Sequence, residues 1–158
     1  MSDRPAVAFR EAQATDVPTL LRMMKSLALQ EPALPFDEEE ITGTWTKFFS
    51  NPEYGRAWLL SVGDELAGYV ILTLGYSFEY RGREAFVDEL FVESKFRGTG
   101  VGRRAMEFVE QKALELSVNV VHLEVDRGND PALALYRRTG YVDHDRCLMT
   151  KWLRRKDL

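Results

Sequence analysis

The sequence has 158 residues, 45% of them apolar, which is enough for one domain with a substantial core. Its formal net charge of −4 argues against a dedicated nucleic-acid binder, and its single cysteine, Cys147, excludes an internal disulfide and a zinc finger. No run approaches the roughly 20 apolar residues that span a bilayer, and Met1 to Arg10 lacks the apolar core of a signal peptide, so we expect a cytoplasmic protein with no membrane or nucleic-acid partner.

The N-terminal third of the chain predicts one strand followed by two helices. Val7 and Phe9 alternate with polar neighbours, as the side chains of a half-exposed strand do. Thr15 is expected to cap the first helix, whose apolar positions recur at helical spacing as far as Leu27. Asp37 is expected to cap the second helix, because glutamates follow it and acidic side chains suit a helix N-terminus.

The middle of the chain predicts a hairpin, a further strand and a long helix. Residues 57–62 and 66–76 are rich in β-formers and are separated by a short turn sequence, which is typical of an antiparallel hairpin. Residues 85–92 predict the next strand, and residues 101–116 carry apolar side chains at helical spacing. Residues 120–125 predict the strand that follows this helix.

The C-terminal part predicts one more helix and two short strands. Asp130 and Pro131 are expected to cap and start the helix, and Gly140 is expected to end it. Residues 141–143 and 147–152 predict the terminal strands. No repeat or linker interrupts this order, so we expect residues 1–158 to form a single mixed α/β domain with about seven strands.

The most informative segment is RGTGVG, residues 97–102, which lies between a predicted strand and a predicted helix. Glycines let the backbone adopt positive φ and approach a ligand closely, and the first N–H groups of a helix have no partner within it. These features favour binding of an anion such as a phosphate, and Arg97 and Arg103 add positive charge. The segment therefore predicts a phosphate-binding turn.

Other phosphate-binding motifs do not fit this segment. A dinucleotide fingerprint, GxGxxG, fails because Arg103 occupies the position of the third glycine. A P-loop fails as well, because Gly98 and the four residues after it lead to Arg103 rather than to Gly-Lys. A plain strand-to-helix turn is the alternative; it would account for one glycine readily but for three at alternate positions poorly.

Residues 97–102 resemble the Arg/Gln-x-x-Gly-x-Gly/Ala motif of the GNAT superfamily of N-acetyltransferases. A second segment, NDPALALYRRTGY at residues 129–141, resembles the second cofactor motif of that superfamily. The order and spacing of the predicted elements fit the superfamily over essentially the whole chain. The resemblance implies a mostly antiparallel, twisted central sheet with flanking helices and a splay between the fourth and fifth strands.

The resemblance also implies acetyl-coenzyme A (acetyl-CoA) as the co-substrate. The amides of the turn would hold the pyrophosphate, and the strand before the turn would pair with the pantetheine arm and supply an oxyanion donor near Val92. Asn129 would help to hold the arm, a role compatible with a helix-cap role beside Asp130. The implied cofactor-binding residues are Leu90, Phe91, Val92, Arg97, Gly98, Thr99, Gly100, Val101, Gly102, Arg103, Asn129, Ala132 and Tyr136.

Acetylation of an amine requires a proton acceptor and a proton donor, because an alkylammonium group has a pKa of about 10. Tyr136 is the candidate acid, at the position where the superfamily commonly places a tyrosine; packing in the core is the alternative. Asp88 is the candidate base, because VDELFVESKFRG resembles the diamine acetyltransferases, and Glu89 is the alternative. Only one of the two is expected to face the cleft, since successive strand residues point to opposite faces. Paired structural carboxylates remain a further alternative.

The resulting prediction is an enzyme that transfers acetyl directly from acetyl-CoA to a small primary amine, with diamines or polyamines as the first candidates by resemblance. A protein or peptide lysine, as in histone-type acetyltransferases, is the alternative acceptor. A noncatalytic acyl-CoA sensor is the alternative of another class. His122 and His144 lack metal-ligand spacing, so no metal is expected. The resemblance allows a homodimer, because members often pair through the later strands.

Overall fold

Within residues 6–30 and 35–154, which the computed structural model describes, five strands form one sheet. The strands are β1 (Val7–Glu11), β2 (Gly55–Val62), β3 (Glu65–Ser77), β4 (Gly82–Val92) and β5 (Val120–Leu123). They lie side by side in chain order; β1 to β4 pair antiparallel with one another, and β5 is parallel to β4. The predicted mixed α/β class with a mostly antiparallel sheet is confirmed.

Four helices and two short 3-10 turns accompany these strands in the same described ranges. The helices are α1 (Val17–Ala28), α2 (Glu38–Ser50), α3 (Val101–Glu115) and α4 (Asp130–Arg138). The 3-10 turns are Ala14–Asp16 and Ser94–Phe96. Among the described residues, no helix is both long and apolar enough to cross a bilayer.

The predicted N-terminal cap is confirmed for α2 and is wrong for α1. The Asp37 side chain accepts a hydrogen bond from the backbone N–H of Glu40 at 2.9 Å, which confirms it as the cap of α2. Thr15 does not cap α1, because it lies inside a 3-10 turn and Asp16 directly precedes the helix. The tighter turn moves the helix start past the threonine.

The last helix is capped by Asn129, for which the sequence allowed a cap role, rather than by Asp130, the predicted cap. The Asn129 side chain accepts a hydrogen bond from the backbone N–H of Ala132 at 3.3 Å, so Asn129, and not Asp130, is the cap of α4. Asp130 is the first helical residue, where its charge complements the helix N-terminus. Gly140 has φ of +95° just beyond the helix, which confirms it as the residue that ends α4.

Two hydrophobic clusters hold the helices on opposite faces of the sheet. The side chains of β3 alternate between them: Val70 and Leu72 lie in the cluster beneath α3, and Tyr69 and Ile71 lie in the cluster beneath α1 and α2. All four are buried. Full burial of such a side chain stabilises a fold by about 1.5–3 kcal/mol, so the central strand anchors both layers.

β4 contains one extra residue relative to its neighbour. Ile71 of β3 pairs with Glu89, whereas Leu72, the next residue of β3, pairs with Val87. Asp88 is therefore opposite no residue of β3. This is a β-bulge, which shifts the alternation of side chains beyond it by one position.

The side chains of β4 change faces at this bulge. Val87 lies in the cluster beneath α3, whereas Phe91, four residues further on, lies in the cluster beneath α1 and α2. In an unbroken strand, residues separated by an even number of positions share a face. The bulge thus places Glu89 on the α1–α2 side, with Phe91.

The two predicted terminal strands are absent from the described residues. Residues 141–154 form neither strand nor helix, so the sheet of the described chain has five strands and not seven. The large apolar residues of this segment are exposed: Val142, Leu148, Met149, Trp152 and Leu153. A strand needs a neighbouring edge for its backbone hydrogen bonds, and the residue types of one segment do not provide that edge.

Candidate active site

β4 and β5 pair only along the first part of β4, and a cleft opens beyond their last pair. The pairing runs from Glu84 with Val120 to Val87 with Leu123, and β4 then continues to Val92 without β5 beside it. This confirms the expected splay. The cleft has a volume of about 1500 Å³ and is lined by α1, α2, the loop after β5, α4 and the C-terminal segment.

The cleft gathers six of the site residues predicted from the sequence. They are Asp88, Glu89, Leu90, Asn129, Ala132 and Tyr136. The side chains of Phe91 and Val92 instead pack into the two hydrophobic clusters, and neither residue lines the cleft. The end of β4 and the start of α4 therefore form facing walls of one site.

Asp88 and Glu89 both line the cleft, so the expectation that only one of these two would do so is wrong. The expectation assumed unbroken alternation, and the bulge at Asp88 removes that alternation. Two neighbouring residues of one strand are consequently presented to the same space. Sequence alone does not reveal this, because the extra residue is visible only in the register between β3 and β4.

Glu89 is half-buried and hydrogen-bonded. The Tyr69 hydroxyl donates to Oε2 of Glu89 at 2.7 Å. Burial raises the pKa of the Glu89 carboxyl, the hydrogen bond from Tyr69 offsets part of that rise, and the negative charge of Asp88 adds to it, which leaves the pKa above its ordinary value. Burial and the nearby carboxylates raise the pKa of Tyr69 as well, so its phenol stays protonated and able to donate.

Asp88 lies at the bulge and is more accessible than Glu89. Its side chain is exposed at the mouth of the cleft and makes no hydrogen bond to another described residue. Protein atoms still surround it on several sides, and this partial loss of water raises the pKa of its carboxyl. A carboxylate with a raised pKa is a stronger base at neutral pH than an ordinary aspartate.

Tyr136 both packs in the hydrophobic core and lines the cleft, the two alternatives that the sequence left open. It is half-buried and packs against the cluster beneath α3, with its ring 6.0 Å from the ring of Tyr141 in an edge-on arrangement. It also lines the cleft. Core packing and access to a ligand are therefore compatible at this residue, and the packing holds the ring in place.

The glycine turn leads from the end of β4 into α3, and its three glycines differ in environment. Gly98 and Gly100 have φ of +75° and +96°, and no atom lies within 4 Å of the place where a Cβ would be. Gly102 lacks positive φ, and a Cβ there would come within 3.2 Å of Leu135 Cδ2. The first two glycines shape an open backbone turn, whereas Gly102 allows α3 to approach α4 closely.

The two arginines of the turn have partners within the described chain. The Arg97 side chain donates from Nε to the Val92 carbonyl at 2.9 Å and from Nη2 to Gln30 Oε1 at 2.8 Å. Arg103 forms an ion pair with Glu107 at 2.9 Å, one turn further along α3. The two side chains that were predicted to add positive charge for a phosphate thus already have protein partners. Arg97 joins the turn to the end of β4 and to Gln30 just after α1, and Arg103 pairs within α3.

The cleft carries more negative than positive side chains. Seven carboxylates and three arginines line it. The carboxylates are Glu40, Asp88, Glu89, Glu124, Asp126, Asp143 and Asp145. Of the arginines, Arg137 pairs with Asp143 at 2.6 Å and Arg146 with Glu79 at 2.7 Å. An acidic cleft with low-dielectric walls concentrates cations, so it favours a positively charged ligand.

Sequence reasoning did not find Tyr69 or the acidic residues after β5. Tyr69 lies in a strand of apolar residues and has the pattern of a core residue; its partner across the sheet is set by the bulge. Glu124 and Asp126 carry no motif of their own. In the described parts of the chain, no group of three or more His, Cys, Asp or Glu side chains lies close enough to hold a metal ion.

An open glycine turn before a helix suits a phosphate-bearing ligand, and an acidic cleft beside the splay between parallel strands suits a cationic one. Comparison with known proteins agrees. The model of the Acetyltransferase (GNAT) family matches residues 20–141. The chain belongs to this family, and it is accordingly an acetyl-CoA-dependent N-acetyltransferase.

Two curated relatives are similar to the chain along most of its length. Thialysine N-epsilon-acetyltransferase of Bos taurus is 29% identical over 146 residues, which cover 87% of this chain and 85% of the bovine protein. Spermidine/spermine N(1)-acetyltransferase-like protein 1 of Homo sapiens is 27% identical over 143 residues, which cover 85% of this chain and 20% of the human protein.

Solved structures share the fold. An integron cassette protein from the mobile metagenome of Cole Harbour Salt Marsh has a TM-score of 0.80 and 33% identity, covering 92% of this chain and 90% of its own. A predicted acetyltransferase from Clostridium acetobutylicum, solved with acetyl-CoA, has a TM-score of 0.77 and 17% identity, covering 96% of this chain and 100% of its own.

The raised pKa of Glu89 predicts that this residue lowers stability at neutral pH. A carboxyl whose pKa is higher in the folded chain penalises folding wherever it is ionised; the penalty is absent below the ordinary pKa of about 4.3 and complete above the raised value. Glu89→Gln should therefore increase the free energy of unfolding at neutral pH, and the gain should shrink towards about pH 4. Urea unfolding at both pH values measures this.

The matched control is Glu79→Gln at the surface. The hydrogen bond and charge of Arg146 lower the pKa of Glu79, so its ionised form favours the folded chain and the substitution should not increase stability at neutral pH. A gain from Glu89→Gln that is equal at both pH values would contradict the burial penalty.

Proposed function

We propose that the protein acetylates a small primary amine that carries further positive charge, such as a diamine, a polyamine or a thialysine-like amino acid. The observation that carries this proposal is the pair of carboxylates, Asp88 and Glu89, at the gap between β4 and β5. The surplus of carboxylates on the cleft walls supports it, because a cationic acceptor gains from that field. The names of the two curated relatives support the same class of acceptor.

The described residues fit acetyl-CoA as the donor substrate. Gly98 and Gly100 leave the backbone of the turn open, since nothing lies within 4 Å of their Cβ positions. The first hydrogen bond of α3 runs from the Arg104 N–H to the Gly100 carbonyl at 3.1 Å, so the amides of residues 101–103 have no acceptor within the helix. These amides suit a pyrophosphate. The donor would supply an acyl group activated as a thioester.

The remaining chemistry belongs to residues of the chain. Asp88 takes a proton from the acceptor ammonium, through one water because aspartate is short, and this frees the nitrogen lone pair. A C–N bond forms at the acyl carbon as the C–S bond breaks, and the Tyr136 hydroxyl gives its proton to the departing sulfur. The proton that the nitrogen releases on becoming an amide restores Tyr136. One proton is released overall, from the original ammonium.

Thiol release from acetyl-CoA, measured across a panel of acceptors, tests the proposed function. The panel comprises spermidine, short diamines, thialysine, lysine peptides, amino acids and aminoglycosides. We expect the highest kcat/KM with small amines that carry a second charge. Preference for lysine peptides would indicate a protein acetyltransferase instead. Silence across the panel, with coenzyme A still protecting the protein from heat, would indicate an acyl-CoA sensor.

Asp88→Asn should lower kcat/KM by about a hundredfold at neutral pH, the lower end of the usual contribution of a general base. The loss should diminish towards about pH 10, because the acceptor amine is then increasingly deprotonated without help. The measurement is the pH profile of kcat/KM for the best amine. Asp64→Asn, in the exposed hairpin turn, is the control and should leave the profile unchanged. An equal loss at every pH would contradict the role of Asp88 as base.

Tyr136→Phe should reduce kcat by about a hundredfold while the dissociation constant of coenzyme A changes little. The substitution keeps the ring that packs beneath α3 and removes only the hydroxyl. Steady-state kinetics and calorimetric binding of coenzyme A separate the two effects. Tyr54→Phe, at a half-exposed tyrosine away from the cleft, controls for loss of a phenol elsewhere. Unchanged turnover would remove Tyr136 as the acid.

A further inference from the structure

A buried phenol lies against one of the two cleft carboxylates. Tyr69 is 0% exposed, and its hydroxyl donates to Oε2 of Glu89 at 2.7 Å. Its ring stacks on Phe91, with the centroids 5.8 Å apart, inside the cluster beneath α1 and α2. Packing therefore fixes the donor, and the donor fixes one oxygen of Glu89.

The bulge at Asp88 brings these two groups together. Glu89 pairs with Ile71, and Tyr69 lies two residues before Ile71 on the same face of β3, which makes Tyr69 and Glu89 diagonal neighbours. Without the extra residue, Glu89 would share the face of Val87 beneath α3, and Tyr69 would be on the opposite side of the sheet. The contact depends on the bulge.

The hydrogen bond leaves the second oxygen of Glu89 available to the cleft. Oε1 makes no hydrogen bond to a described residue, and Glu89 lines the cleft wall. A donor to a carboxylate stabilises its charged form, which counteracts burial at this position. Asp88 has no such donor among the described residues. The two neighbouring carboxylates therefore differ in how firmly they are held and in what supports their charge.

We propose that Tyr69 is a positioning residue that holds Glu89 as an oriented anion for the ammonium group of the acceptor, which leaves Asp88 to take the proton. The nature of the ligand in this inference rests on the proposed function; the coupling between Tyr69 and Glu89 does not. The division of labour explains why two carboxylates of one strand face one cleft. One binds charge and the other moves a proton.

The pH at which Glu89 titrates depends on the charged and titratable groups around it. Tyr69 is the donor from β3, and Asp88 is the nearest like charge on β4. Among the described residues, α1 contributes only apolar Met24, Leu27 and Ala28 to the cleft wall. The other titratable or charged groups on the walls are Glu40, Glu124, Asp126, Arg127, Tyr136, Arg137, Asp143, His144, Asp145 and Arg146.

The test removes the phenol and follows Glu89 directly. The ¹³C signal of the Glu89 carboxyl, assigned by its loss in Glu89→Gln, is titrated in the wild-type protein and in Tyr69→Phe. The midpoint should move to higher pH in Tyr69→Phe, because the donor that stabilises the anion is gone. The acidic limb of kcat/KM should move in the same direction. KM for the amine should rise about tenfold, with a smaller change in kcat.

Two matched controls separate positioning from structure. Tyr141→Phe removes another buried hydroxyl, one without a hydrogen-bond partner in the described chain, and should leave the Glu89 midpoint unchanged. In a Glu89→Gln background, Tyr69→Phe should raise KM no further, because both residues act through one contact. An unchanged Glu89 midpoint in Tyr69→Phe, or an equal rise in KM in both backgrounds, would overturn the proposal.

The unsubstituted protein provides an independent measurement if Tyr69→Phe does not fold. The ring ¹³C signal of Tyr69 should titrate with the same midpoint as the Glu89 carboxyl, and different midpoints would overturn the proposal. Coupled midpoints in a wild-type protein that acetylates no amine would refute the proposed function while supporting the coupling of Tyr69 to Glu89. A failure of the coupling between Tyr69 and Glu89 can therefore be distinguished from a failure of the proposed function.

Discussion

A single extra residue in β4 is the constraint on which the site depends. Because Asp88 has no partner on β3, the alternation of side chains between the two faces of the sheet is shifted by one position in the residues beyond it. Glu89 then faces the cluster beneath α1 and α2 instead of the cluster beneath α3. The pairing of β4 with β5 ends at the residue just before the bulge, Val87, and the cleft begins there. The irregularity therefore lies where the sheet opens, and it places two carboxylates in the opening.

This arrangement reduces stability locally, and the rest of the sheet compensates. Burial raises the pKa of both Asp88 and Glu89, so each charge is less favourable in the folded chain than in water. The strand that carries them is held on one side by β3, whose side chains enter a hydrophobic cluster on each face. Burial of several such residues, at about 1.5–3 kcal/mol each, outweighs one or two partly desolvated carboxylates. A reactive site is tolerated because its strand is paired along its length with β3, which is packed on both faces.

The glycine turn is connected to both sides of the cleft rather than isolated at the surface. Arg97 joins the turn to the Val92 carbonyl at the end of β4 and to Gln30 just after α1. Gln30 also lines the cleft wall, so one side chain links the turn proposed for the donor to the wall proposed for the acceptor. Gly102 adds a second connection, because it lets α3 approach Leu135 of α4. The donor turn, α1 and α4 are therefore held in a common frame.

Local sequence patterns determined most of the elements, the cap at Asp37 and the positive φ at Gly98 and Gly100, because these depend on the intrinsic geometry of a residue and on spacing along the chain. Tertiary structure decided the site. Which face Glu89 occupies depends on the register between Ile71 and Leu72 of β3 and the strand opposite, and no single segment contains that register. The same reason explains residues 141–143 and 147–152, which were predicted as strands and do not form strands in the described chain. A helix satisfies its own backbone, whereas a strand, a bulge and a cleft exist only where a second segment lies alongside.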